Sequence, residues 1–135
     1  MALIVWNSDY DVGVDSLNAD HIMIFSLINH IHDAHESGTD ESAIGRILGM
    51  LIELAEAHFE REEALMRKGD YAYLADHIEA HGDLLEQLGA LHAAYEKTAS
   101  PEISLEIVEL LSFWIESHIL EVDMDYRAVL GSETA

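Results

Sequence analysis

The chain has 135 residues, half of them apolar, with one proline and eight glycines that follow no repeat; this excludes a disordered segment and suits a single domain spanning residues 1–135. Six Lys and Arg against 27 Asp and Glu give a formal charge of −21. Such a surface repels phosphate backbones and anionic lipid heads, so neither nucleic acid nor membrane is an expected partner. Cysteine is absent, which excludes disulfides, thiolate metal sites and iron–sulfur clusters and leaves imidazole and carboxylate as the available metal ligands.

The amino-terminal Met-Ala-Leu-Ile-Val-Trp has no basic region and is too short for a secretory apolar core. No apolar run reaches the ~18 residues of a membrane span, and a cytoplasmic protein is expected. The first sixteen or so residues read as an irregular arm whose Trp6, Tyr10, Val12 and Val14 are available to pack on a helical bundle. A helical period then runs through Leu17, His21, Ile24, Ile28 and Ile31 and stops near Ser37-Gly38, where glycine tolerates the left-handed conformation that ends a helix. Thr39 or Asp40 can cap a second helix with the stripe Ile44, Leu48, Leu51, Ala55, His58, Glu62 and Leu65, closed by Arg67, Lys68 and Gly69.

Asp70 can cap a third helix, with the stripe Leu74, His77, His81, Leu84, Leu88, Leu91 and Tyr95. Ser100-Pro101-Glu102 is a strong start signal for a fourth: a capping hydroxyl, proline at the first helical position and an acid beside the positive dipole end. That helix carries Ile103, Ile107, Leu110, Trp114, His118 and Val122 and is expected to end near Gly131. Short connections between four long amphipathic helices predict an all-α, up-down-up-down antiparallel four-helix bundle with an irregular N-terminal arm.

Polar groups interrupt those apolar stripes. His21, His58, Glu62, His77, His81 and His118 all fall at core-facing positions, with Asp123 a little beyond one turn from His118. Unpartnered charge and imidazole are costly in a core, so these groups need a partner. His58 with Glu62, and His77 with His81, are four apart and project from one helix face on successive turns. His118 and Asp123 are five apart, an offset of about 140° that needs longer reach or a local distortion. A lone core histidine is ordinarily a hydrogen-bonded structural residue; such groups on all four helices point instead to metal. Five imidazoles and two carboxylates exceed what zinc uses and suit two six-coordinate transition-metal ions, iron among the candidates. No histidine here has glutamate three residues before it, which counts against the Glu-x-x-His sites of ferritin-like bundles. His30, His32, His35 and His92 are expected at the surface rather than among the ligands, His32 and His35 being near a helix end.

On these residues the chain resembles the hemerythrin family, and in length and layout its single-domain bacterial members. The matching stretches are Trp6 through Val14, His21, His58-Phe59-x-x-Glu62-Glu63-x-x-Met66, Tyr71, His77-x-x-x-His81 and Trp114-x-x-x-His118-Ile119-x-x-x-Asp123-x-x-Tyr126. The resemblance implies two iron ions with a bridging oxo or hydroxo group. His77, His81 and His118 would hold one iron, and His21 and His58 the other, which keeps an open position. Glu62 and Asp123 would bridge them, and dioxygen would bind reversibly at the open iron. Ile24, Phe59, Trp114, Ile115 and Ile119 neighbour these positions and are candidates for an apolar oxygen pocket; ordinary core packing explains them equally. Family members often carry Asp-x-Gln-His before the first ligand. Here the segment is Asn18-Ala19-Asp20-His21: Asn18 can still cap a helix, while Asp20 adds negative charge beside a ligand and can alter its surroundings.

The expected function is oxygen transport, storage or delivery by a monomer, to a protein partner that consumes the oxygen, rather than enzymatic catalysis. Alternatives are an oxygen or redox sensor acting through a separate partner, and a small di-iron oxidase, peroxidase, or nitric-oxide or iron-handling protein. Catalysis would require a general acid near the open iron; Glu121 and Tyr126 are close in sequence, but read more simply as exposed charge and packing.

Overall fold

The computed structural model describes residues 4–38, 41–115, 117 and 118, excepting the side chains of residues 9 and 41. A short 3-10 turn, Ser8–Tyr10, leads into helices α1 (Asp15–Ser37), α2 (Glu41–Lys68), α3 (Leu74–Lys97) and α4 (Pro101–Trp114). Helix α1 packs on α2 and α4, and α3 on α2 and α4, which closes four antiparallel neighbours into the expected bundle. Among the described residues there is no strand, and no helix is long and apolar enough to cross a membrane.

The helix ends show the local chemistry that places them. Gly38 terminates α1 in the left-handed region at φ 64°, its N–H bonded to the Ala34 carbonyl. The Ser100 hydroxyl caps α4 by accepting the Ile103 N–H at 3.2 Å, with Pro101 next in the chain as expected. At the end of α2 the left-handed residue is Asp70, at φ 53°, while Gly69 keeps an α-helical bond to Leu65. The Tyr71 N–H reaches back to the Met66 carbonyl at 2.9 Å and that of Asp70 to Arg67 at 3.2 Å, the paired bonds of a Schellman ending. Asp70 therefore closes α2 and does not cap α3, which begins at Leu74. The caps expected from Thr39 or Asp40, and the end of the fourth helix near Gly131, lie outside the described residues.

Asn18 also departs from expectation. Helix α1 starts three residues earlier, at Asp15, so Asn18 is inside it. Its side chain instead accepts the Val12 N–H at 3.0 Å and donates to Asp11 Oδ1 at 2.7 Å. Further up α1, the Asn29 amide grips both backbone groups of Ile4, at 2.9 and 2.7 Å. Two asparagines thus satisfy the arm's backbone polar groups where no regular ladder is present, and Tyr10 packs edge-on to Phe25 with ring centroids 4.9 Å apart.

Two apolar clusters result. The larger runs along the bundle through Ile24, Ile28, Leu48, Leu51, Leu88, Ile107 and Leu111, among others. The smaller closes one end and joins the arm to the helices: Val12, Val14, Leu17, Met66 and Tyr71. Met66 takes the fully buried place in α2 that the stripe assigns to Leu65, which is half-buried beside this cluster. Complete burial of a side chain of this size stabilises by about 1.5–3 kcal/mol.

The termini give a direct test. A Cβ at Gly38 would meet nothing within 4 Å, so the cost of Gly38→Ala is that of the left-handed backbone alone, about 1 kcal/mol. Ser100→Ala removes one cap and is expected to cost about 1 kcal/mol. Urea unfolding monitored by helical circular dichroism should show both losses with unchanged m-value.

Candidate metal centre

The six described polar residues of the stripes converge between the two apolar clusters. His21 stands one turn past Leu17 of the end cluster and one turn before Ile24 of the main one; Glu62 stands one turn before Met66. All six are buried, four of them at no more than 1% exposure: His21, His58, Glu62 and His77.

Glu62 is at the centre. Its Oε1 lies 2.7 Å from His77 Nε2 and 3.0 Å from His81 Nε2. Its Oε2 lies 3.1 Å from His58 Nε2 and 3.9 Å from His21 Nε2. The two His21 and His58 Nε2 atoms are 3.0 Å apart, and those of His81 and His118 are 3.2 Å apart. One carboxylate thus presents one oxygen to each of two groups, Glu62 with His77, His81 and His118, and Glu62 with His21 and His58; within each, ligand-type atoms all lie within 4.8 Å of one another. Burial pushes the Glu62 carboxyl upward; hydrogen bonds from His58, His77 and His81, with the nearby His58 charge, outweigh it and hold the group well below the usual carboxylate range.

Two of the outward ring nitrogens are held by further carboxylates. His58 Nδ1 lies 2.9 Å from Asp20 Oδ2, and His81 Nδ1 lies 2.7 Å from Glu63 Oε2. A carboxylate accepts, so each Nδ1 carries the hydrogen; each Nε2 can then either donate to Glu62, when the ring is charged, or, in the neutral ring, turn a lone pair inward to an ion. Lone pairs directed at one another and at a carboxylate repel unless a cation lies among them. The donor set therefore fits metal, and its imidazole-rich composition fits iron.

Asp20 is braced in turn by Arg61, whose Nε and Nη2 meet Oδ2 and Oδ1 at 3.0 and 2.7 Å. Burial pushes the Asp20 carboxyl upward, but the hydrogen bonds and charges of His58 and Arg61 leave it lowered. Sequence reasoning singled out Asp20 without finding its partners, and gave Glu63 and Arg61 no role. The one signal for them was position: Arg61 is three residues past His58 and so on the same side of α2, and Glu63 directly follows Glu62.

Aromatic rings wall the cluster. Phe59 stacks on His81, centroids 3.8 Å apart and planes 6° apart, and meets Trp114 edge-on at 5.8 Å. Trp114 stacks on His118 at 5.2 Å and 18°. Of the expected pocket residues, Ile24, Phe59, Trp114 and Ile115 are buried in the main cluster, while Ile119 is outside the described residues. So are Asp123, Glu121 and Tyr126. The fourth helix widens after Trp114 into π-helical backbone at Ile115, Ser117 and His118.

The remaining histidines stand apart from these groups, though only His30 is exposed. His32, His35 and His92 are half-buried rather than at the surface, because two of them join helices. His35 Nδ1 meets Ser104 Oγ at 2.5 Å, linking α1 to α4, and His92 Nε2 meets the Gly45 carbonyl at 3.1 Å, linking α3 to α2.

Comparison with known proteins agrees with this geometry. The family model described as Hemerythrin HHE cation binding domain matches residues 12–130. A Bacteriohemerythrin of Stenotrophomonas maltophilia is 30% identical over 93% of this chain and 80% of its own length. One from Methylococcus capsulatus is 29% identical over 98% of this chain and all of its own, and a Myohemerythrin of Theromyzon tessulatum is 26% identical over 93% and 92%. Among solved structures, wild-type hemerythrin superimposes with a TM-score of 0.82 at 28% identity, covering 96% of this chain and 99% of the other. The chain belongs to the hemerythrin family, which binds oxygen at a di-iron site.

Proposed function

We propose that this chain is an oxygen carrier or store, binding dioxygen reversibly at a di-iron centre and delivering it to a cellular consumer. The observation that carries the reading is Glu62, whose two oxygens face two separate imidazole groups. In this reading His77, His81 and His118 would hold one iron, His21 and His58 the other, and Glu62 would be shared between them. Asp123, assigned from sequence and family resemblance, would be the second shared carboxylate. The chemistry supplied by bound iron is a loan of electrons to dioxygen that is recovered on release.

The protein's own contribution is to hold, orient and exclude water. The outer carboxylates Asp20 and Glu63 fix which nitrogens of His58 and His81 face inward, so those ligands need no reorientation to bind metal. Ile24, Phe59, Trp114 and Ile115 give the site buried, apolar surroundings, with Ile119 assigned to the same wall from sequence. Such walls keep water and protons away from a reduced centre, which favours release of dioxygen unchanged over its consumption. That is the reason to prefer a carrier to an oxidase.

The deciding experiment is an optical spectrum of iron-loaded protein, reduced without air, oxygenated, then purged. Charge-transfer bands should appear with oxygen and vanish on purging over repeated cycles. Bands that persist after a single exposure would exclude reversible carriage, and absence of any iron-dependent band would exclude the di-iron assignment. A second expectation concerns Glu62→Ala. Loss of the shared carboxylate should reduce iron content from two ions per chain to one or none by elemental analysis, and abolish the oxygen-dependent bands.

A further inference from the structure

The two halves of the centre differ in the charge that stands behind their imidazoles. Behind His58 is Asp20, whose carboxylate is matched by the fork of Arg61. Behind His81 is Glu63, and among the described residues no lysine or arginine pairs with it. Arg61 is one of only six lysines and arginines in a chain with 27 acids, yet it is spent on a carboxylate whose side chain is 12% exposed. The Arg61 side chain is itself 47% exposed, and a pair so open to water adds little to folding stability. The geometry makes better sense as control of the site than as a brace for the fold.

We infer that Arg61 is a positioning residue that orients Asp20 and neutralises its charge behind His58, whereas Glu63 stands behind His81 with no such cation among the described residues, so that the two halves hold their metal ions in environments of unequal charge. This rests on the di-iron reading above. A hydrogen-bonded carboxylate makes an imidazole a stronger donor and favours the more oxidised metal. The arginine moderates that effect on the half with two imidazoles, the half that keeps an open position. The half with three imidazoles receives the full effect of Glu63. Removing Arg61 and removing the Glu63 charge therefore push the ferric–ferrous balance in opposite directions.

The test compares wild-type protein with Arg61→Met, Arg61→Lys and Glu63→Gln, each loaded with ferrous salt. Three quantities are read: the midpoint of the ferric–ferrous couple in a titration with mediator dyes, the rate of iron loss to a chelator, and the melting temperature of the metal-free chain. Arg61→Met should lower the midpoint and speed loss of one of the two ions by ~10–100-fold, with little change in metal-free melting. Arg61→Lys keeps the charge but loses the fork, so its midpoint should stay nearer wild type while iron loss is still accelerated. Glu63→Gln should raise the midpoint. Midpoints that move together, or an Arg61→Met loss explained by an equal fall in metal-free melting, would overturn the inference while leaving the di-iron centre standing. A wild-type chain that takes up no iron would overturn the di-iron reading itself, and this inference with it.

Discussion

A buried carboxylate shared between imidazoles from different helices is the constraint on which this molecule depends. Glu62 on α2 is fully enclosed, and its neighbours within about one hydrogen-bond length come from α2 and α3, with α1 slightly farther off. A charge in such a place is tolerated only where its partners are held in register. The bundle supplies that register through apolar packing on both sides: Leu17 and Met66 below, Ile24, Ala55, Leu84 and Trp114 above. Apolar burial stabilises the fold, and the fold in turn keeps an arrangement of lone pairs that would not assemble by itself.

Around that centre the polar residues form successive layers. The inward Nε2 atoms face Glu62, and the outward Nδ1 atoms of His58 and His81 face Asp20 and Glu63; of these two carboxylates, Asp20 is the one backed by a cation among the described residues. Each layer limits the freedom of the one inside it. The stacked rings of Phe59 and Trp114 do the same by contact, since a histidine lying flat against an aromatic face cannot turn without displacing it.

Much of this is legible in the sequence. Helix count, the Gly38 and Ser100 termini and the six described core polar residues come from spacing, because a period of 3.6 assigns a face to each residue. What escapes depends on geometry between elements. Asp70 reads as the start of α3 because aspartate suits caps; it also tolerates the left-handed region, and the bonds back to Met66 and Arg67 choose that role. Asn18 loses its capping role because α1 begins a turn earlier, at Asp15, and its amide then serves the arm. Arg61 is given no role by the sequence, since its partner Asp20 is 41 residues away on another helix. The family resemblance supplies the division of histidines between two ions; spacing alone leaves that division open.

The centre lies at a seam rather than in the middle of one continuous core. On one side is the main cluster of the bundle; on the other is the small plug of Val12, Val14, Leu17, Met66 and Tyr71, tied to α1 by the Asn18 amide and to the end of α2 by the turn at Asp70. Small clusters with few buried side chains open at lower free energy than large ones. The architecture thereby sets the candidate ligands at the boundary between two packing units of unequal size, so that both must be in place before the six polar residues are enclosed.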